Sequence, residues 1–140
     1  MAQRQGQKNK ETPEKRVVKR VHLFLEEAFG YVDPDRLNQS EEWRFALSCF
    51  ALGTIHAFVE LEKLTPPQVH AIFIRLLDKL FKWPMESTVE VAQMVIDGTG
   101  EPTVREIMIA GMEAITAWEG GQGKAAMRLA QVLEEISIEE

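Results

Sequence analysis

This sequence predicts an all-α fold, a single-domain bundle of about six helices, and three observations carry that reading. Apolar residues recur at helical spacing, most clearly at Val69, Ile72, Phe73, Leu76, Leu77, Leu80 and Phe81. No segment alternates with a period of two between turn residues, as a half-buried strand would. The chain of 140 residues, 45% apolar and 27% charged, is long enough for one domain to build its own core.

Residues 1–12 read as a disordered basic arm and 13–140 as the helical bundle domain. The arm ends at Thr12-Pro13, an N-cap residue followed by a proline suited to a first helical turn. Val17, Val21, Phe24, Ala28 and Phe29, widened by Val18 and Leu25, mark one face of the first helix, which Gly30 ends. Tyr31 to Gln39, containing Asp33-Pro34-Asp35, reads as a loop. Ser40 caps a second helix, with Glu41 and Glu42 at its positive end, and this helix is expected to run to about Glu62.

That helix contains Phe45–Val59, where eleven of fifteen residues are apolar and the exceptions are Ser48, Gly53, Thr54 and His56. Successive residues turn by ~100°, so those four form no single wet stripe. A helix apolar nearly all round belongs at the centre of a bundle or against a partner.

Thr65-Pro66-Pro67-Gln68 has the capping-box pattern that starts a third helix, and Trp83-Pro84 breaks it. A fourth helix is expected from about Glu86 to Asp97, with Val91, Val95 and Ile96 inward. The fifth runs from Pro102 to Glu119 with Val104, Ile107, Met108, Gly111, Ile115 and Trp118 inside. Gly120, Gly121 and Gly123 form a flexible joint before a last helix that uses Ala126, Leu129, Ala130, Leu133 and Ile136.

Charge narrows the function classes. Residues 1–20 carry a net +5 and residues 21–140 a net −11, for −6 in all. An acidic body repels phosphates, so nucleic acid is not expected as a partner. The apolar run is shorter than a membrane span and is flanked by Arg44 and Glu60, so no membrane role is expected. No secretory signal stands at the start, and the single cysteine, Cys49, permits no intrachain disulfide; a cytoplasmic protein is the reading.

Catalytic and metal-binding patterns are weak. The chain has no Glu-x-x-His, which a di-iron bundle needs, and His56 with Glu60 lacks further zinc ligands at comparable spacing. His22, His56 and His70 stand on three predicted helices, where two could meet. A polar pocket holding His56 and His70 with a metal is the feature that would favour an enzyme. Cys49 lies mid-helix among Phe and Leu, where burial makes a thiol inert. Gly120-Gly121-Gln122-Gly123 lacks the strand and the Lys-Ser/Thr of a phosphate loop. No catalytic residue, cofactor or metal is therefore assigned.

Binding signals are clearer. Asp33, Asp35, Glu41 and Glu42 cluster around one loop and one helix start, an acidic patch suited to a basic partner. Tyr31, Trp43, Trp83 and Trp118 lie at predicted helix ends, where aromatics either anchor interfaces or close a core. Core packing is the reading for Trp43 and Trp118. Tyr31, Asp33, Asp35, Glu41, Glu42 and Trp83 are the candidate partner-binding residues.

Phe50-Ala51-Leu52-Gly53-Thr54-Ile55-His56-Ala57, then Leu64-Thr65-Pro66-Pro67-Gln68-Val69-His70-Ala71, carry a resemblance to a known family. With Pro102-Thr103-Val104 to Trp118 and a helix ending Leu129-Ala130-Gln131-Val132-Leu133, they are similar to the small all-helical immunity proteins of bacterial polymorphic-toxin and secretion-system loci, most nearly immunity family forty-eight. The likeness covers roughly residues 45–133 and leaves out the basic arm and first helix. It implies a non-enzymatic protein that binds one cognate toxin or effector domain and blocks its active site or substrate entry, an encounter that the lack of a signal peptide would place in the cytoplasm. If the acidic patch is the contact, its carboxylates would mimic the anionic substrate of a toxin acting on nucleotides or nucleic acid. The alternative is a homo-oligomeric helical adaptor or secretion chaperone whose Phe45–Val59 surface pairs with itself, and a homodimer is compatible with either reading.

Overall fold

Why a helix can be apolar on every side is answered by its neighbours. In a computed structural model, which describes residues 11–139 and the side chains of 11–136, seven α-helices and one 3-10 turn are seen among the described residues, and no strand. They are α1 (Pro13–Phe29), α2 (Pro34–Gln39), α3 (Glu41–His56), α4 (Pro66–Phe81), α5 (Met85–Asp97), α6 (Pro102–Glu119) and α7 (Arg128–Glu139), with the 3-10 turn at Gly123–Met127. Helix α3 packs against each of the other six and most extensively against α6. Every residue from Ala46 to Ile55 is buried, so the whole circumference is used within one chain.

The polar residues of this central helix are satisfied locally. Ser48 Oγ donates to the Arg44 carbonyl at 2.8 Å, and Thr54 Oγ1 donates to the Ala51 carbonyl. Such back-bonding to the preceding turn lets a hydroxyl sit in a core without a side-chain partner. Cys49 is fully buried, and burial pushes its thiol pKa up to about 12.

Closest approach comes where α3 crosses α6. A Cβ added at Gly53 would lie 1.9 Å from the Met108 carbonyl oxygen, and one at Gly111 would lie 2.2 Å from that of Phe50. The two helices therefore touch backbone to backbone through reciprocal glycines. Ala110 and Ala114 keep the rest of this α6 face small.

Helix ends follow from local chemistry. Thr12 accepts from the Lys15 N–H at 3.2 Å and starts α1, and Gly30 caps its end. The basic arm expected over residues 1–12 lies, up to residue 10, outside the described residues. At Thr65 the capping box is complete: Gln68 Oε1 accepts from the Thr65 N–H at 2.8 Å, and Thr65 Oγ1 accepts from the Gln68 N–H at 3.4 Å. Lys82 ends α4 in the left-handed conformation (φ 52°) just before Trp83-Pro84.

Two expectations are corrected. The loop expected over Tyr31–Gln39 contains helix α2: the Asp33 carboxylate caps it, Pro34 opens it, and Leu37 is the one buried residue that anchors it. Helix α3 stops at His56 rather than near Glu62. The chain winds through turns instead, with Lys63 at φ 54° and the Leu64 N–H bonded to the Val59 carbonyl at 2.9 Å, which buries Phe58 and Leu64. At the glycine-rich joint Gly120 caps α6, Gly121 (φ 100°) takes the left-handed position that only glycine occupies freely, and Gly123 begins the 3-10 turn.

Ion pairs join distant elements over this core. Arg16 holds Glu62 at 2.8 Å, Arg20 holds Glu119, and Arg36 reaches Glu134 at 3.0 Å while lying over the Trp43 ring. Trp43 is almost fully buried, and Trp118 packs on Phe24 while its Nε1–H donates to Glu27 at 2.7 Å.

Candidate functional site

The sequence-predicted binding residues occupy the ends of α1 to α4. Tyr31 follows α1 and is 50% exposed. Asp33 caps α2, its carboxylate accepting from the Asp35 N–H at 3.0 Å. Glu41 and Glu42 are exposed in the first turn of α3, where Ser40 Oγ accepts from the Trp43 N–H at 3.1 Å.

Trp83 takes its position from an aromatic row. Its ring stacks on Phe81 at 4.1 Å with the planes 6° apart, and Phe81 meets Phe29 of α1 at 6.2 Å. The row ties the α4–α5 connection to the end of α1, so the indole is held although it is only half-buried.

Glu41 and Trp83 come together. Both line a groove of about 410 Å³ with Arg44 and Phe45 of α3 and Ser87, Val91 and Met94 of α5. Tyr31, Asp33, Asp35 and Glu42 do not line it. The Arg44 guanidinium is turned to the end of α2, where Nη1 donates to the Leu37 carbonyl at 3.0 Å and to that of Asn38. Among the described residues Glu41 has no basic partner within salt-bridge distance, unlike Glu62, Glu119, Glu134 and Glu135.

Sequence reading missed the α5 wall. Val91 was expected inside, but the buried line of α5 is Thr88, Ala92 and Val95, which leaves Val91 half-buried at the groove and Met94 60% exposed. Ser87, Val91 and Met94 share the i, i+4, i+7 spacing, which was the available signal.

A second cleft, of about 370 Å³, does bring His56 and His70 together, with Leu52, Val59, Ile96 and Met108 among its walls. His56 still reaches solvent, and its pKa is lowered by burial against this apolar surface. His70 Nε2 is buried without a hydrogen-bond partner among the described residues. No carboxylate lines the cleft, and among the described residues no group of three or more His, Cys, Asp or Glu is gathered to hold a metal ion. Among the described residues no helix is long and apolar enough to cross a membrane.

What these features define is a small all-helical protein with an apolar groove, acidic at its rim, among helix ends. Comparison with known families makes this specific: the model for immunity protein 48 matches residues 28–136, and the chain belongs to that family. The match begins in the last turn of α1 and contains every residue of the Trp83 groove. No curated protein and no solved structure matched the chain.

Proposed function

We propose that this protein is an immunity factor that binds a cognate bacterial toxin domain in the cytoplasm and covers its active site or substrate entry, without catalysing a reaction itself. Family membership over residues 28–136 is the observation that carries this reading. The contact is placed at the helix ends bearing Tyr31, Asp33, Asp35, Glu41, Glu42 and Trp83. Their mix of exposed carboxylates and a held aromatic suits a basic, partly apolar surface. Occlusion asks only for tight docking, so a protein with a closely packed core is well suited to it.

Burial of Ala46 to Ile55 inside one chain disfavours the alternative in which the Phe45–Val59 surface pairs with itself. The test is to read the gene that neighbours this one and, where it encodes a large secreted protein, to co-express that protein's C-terminal domain with this chain. Restored growth together with a co-purifying complex is expected. Growth arrest despite folded, abundant protein refutes the proposal.

A further inference from the structure

Helix α5 has a charge pattern that bears on what the Trp83 groove receives. Its thirteen residues include Glu86, Glu90 and Asp97 and no Lys or Arg. At ~100° per residue, these three acids fall on one stripe directly beside the line of Ser87, Val91 and Met94 that faces the groove. Asp97 accepts from the Gln93 amide at 2.8 Å, while Glu86 and Glu90 are exposed and, among the described residues, have no basic partner within salt-bridge distance. Across the groove stands Glu41, also exposed. An apolar floor of Phe45, Trp83, Val91 and Met94 is thus bordered by carboxylates on both sides.

Resting on the immunity reading, we infer that this groove receives a cationic segment of the toxin domain. The segment seats apolar side chains against Trp83 and Met94 while its Lys or Arg residues lie along Glu86, Glu90 and Glu41. The volume suits this occupant. A cavity of ~150 Å³ lodges one benzene ring, so about 410 Å³ admits two groups of that size. Charge decides the rest: an acidic segment meets carboxylates on both rims, and a wholly apolar one brings them no counter-charge. No strand is present among the described residues to extend a sheet, so recognition falls to side chains.

The test is calorimetric titration of the full chain with that same C-terminal toxin domain, at low and at high salt. Met94→Glu is the first variant, because a side chain 60% exposed can be changed without unfolding α5. It is expected to weaken binding by about thirty-fold, the scale of an interface hot spot. Glu90→Lys is expected to weaken binding roughly ten-fold at low salt and much less at high salt. Glu113→Lys makes the same charge change on the exposed face of α6, outside the groove, and should leave affinity unchanged. Wild-type affinity in both Met94→Glu and Glu90→Lys overturns the groove assignment while leaving the immunity reading intact. Equal losses in Glu90→Lys and Glu113→Lys also overturn it, since they reduce the effect to net charge. No binding by the unsubstituted chain overturns the immunity reading, and this inference with it.

Discussion

Replacing Gly53 with alanine adds one methyl group at the crossing of α3 and α6. In an exposed helix that change would stabilise by up to ~1 kcal/mol through helix propensity. Here the new Cβ falls 1.9 Å from the Met108 carbonyl oxygen, 2.6 Å from its carbonyl carbon and 2.7 Å from its Cα. Ordinary carbon contacts lie at ~3.5–4.0 Å, so the helices must part by on the order of 1–1.5 Å. The obstacle is backbone, which cannot rotate away as a side chain can. Overpacking of a core typically costs ~1–3 kcal/mol, and α3–α6 is the most extensive helix contact in the fold. Taking the upper end and subtracting the propensity gain leaves a loss of about 2 kcal/mol or more. For a chain of this length the melting temperature should fall by roughly 6–12 °C. Urea unfolding followed by helical circular dichroism measures the loss, with Gly100→Ala as control because nothing lies within 4 Å of its added Cβ. Gly111→Ala should cost a similar amount, its Cβ meeting the Phe50 oxygen at 2.2 Å. The double variant should lose less than the sum, since one separation of the helices relieves both contacts. A Gly53→Ala protein as stable as the Gly100→Ala control refutes the backbone-contact reasoning.

Thr65→Ala removes the oxygen that caps α4 and should cost about 1 kcal/mol, read as a lower thermal midpoint with unchanged helix content. Cys49, its thiol pushed up to about 12 and shielded from solvent, should resist iodoacetamide at pH 8 in the folded protein and react fully in denaturant. Burial lowers the pKa of His56 below its ordinary 6.5, so the unfolded chain takes up this proton more readily than the folded one. Its contribution to stability is therefore complete above pH 6.5 and declines as the pH falls below that value. The Arg16 pair holds the Glu62 pKa below 4.5, which acts in the same direction in more acid solution. Urea midpoints at pH 7.5 and 5.5 should differ less in His56→Gln than in the parent chain; an equal difference would remove His56 from the account.

Local signals served best where one or two residues determine an element. Thr12-Pro13 and Gly30 bound α1, and Thr65 with Gln68 starts α4, because capping is chemistry between near neighbours. Helix α2 was hidden because six residues give no periodicity to read, and its stability rests on Leu37 finding the core. The early end of α3 was hidden for a related reason: Phe58 and Leu64 continue an apolar pattern, and only packing shows that turns bury them better than another helical turn. In the groove, Glu41 and Trp83 stood out as charge and aromaticity at helix ends. Met94 and Ser87 look like any solvent face until α5 is laid beside α3.

By itself, then, the sequence determined the helical class, most of the helix limits, and the central place of Phe45–Val59, because propensity, capping and periodicity act over a few residues. It also pointed to the family, through motifs spread over α3, α4, α6 and α7. Only the tertiary structure decided that Gly53 and Gly111 meet, that His56 and His70 share one apolar cleft, and that Trp83 forms a groove with α5. Those are contacts between residues far apart in the chain. They depend on how close two backbones can come and on which side of each helix the common core consumes.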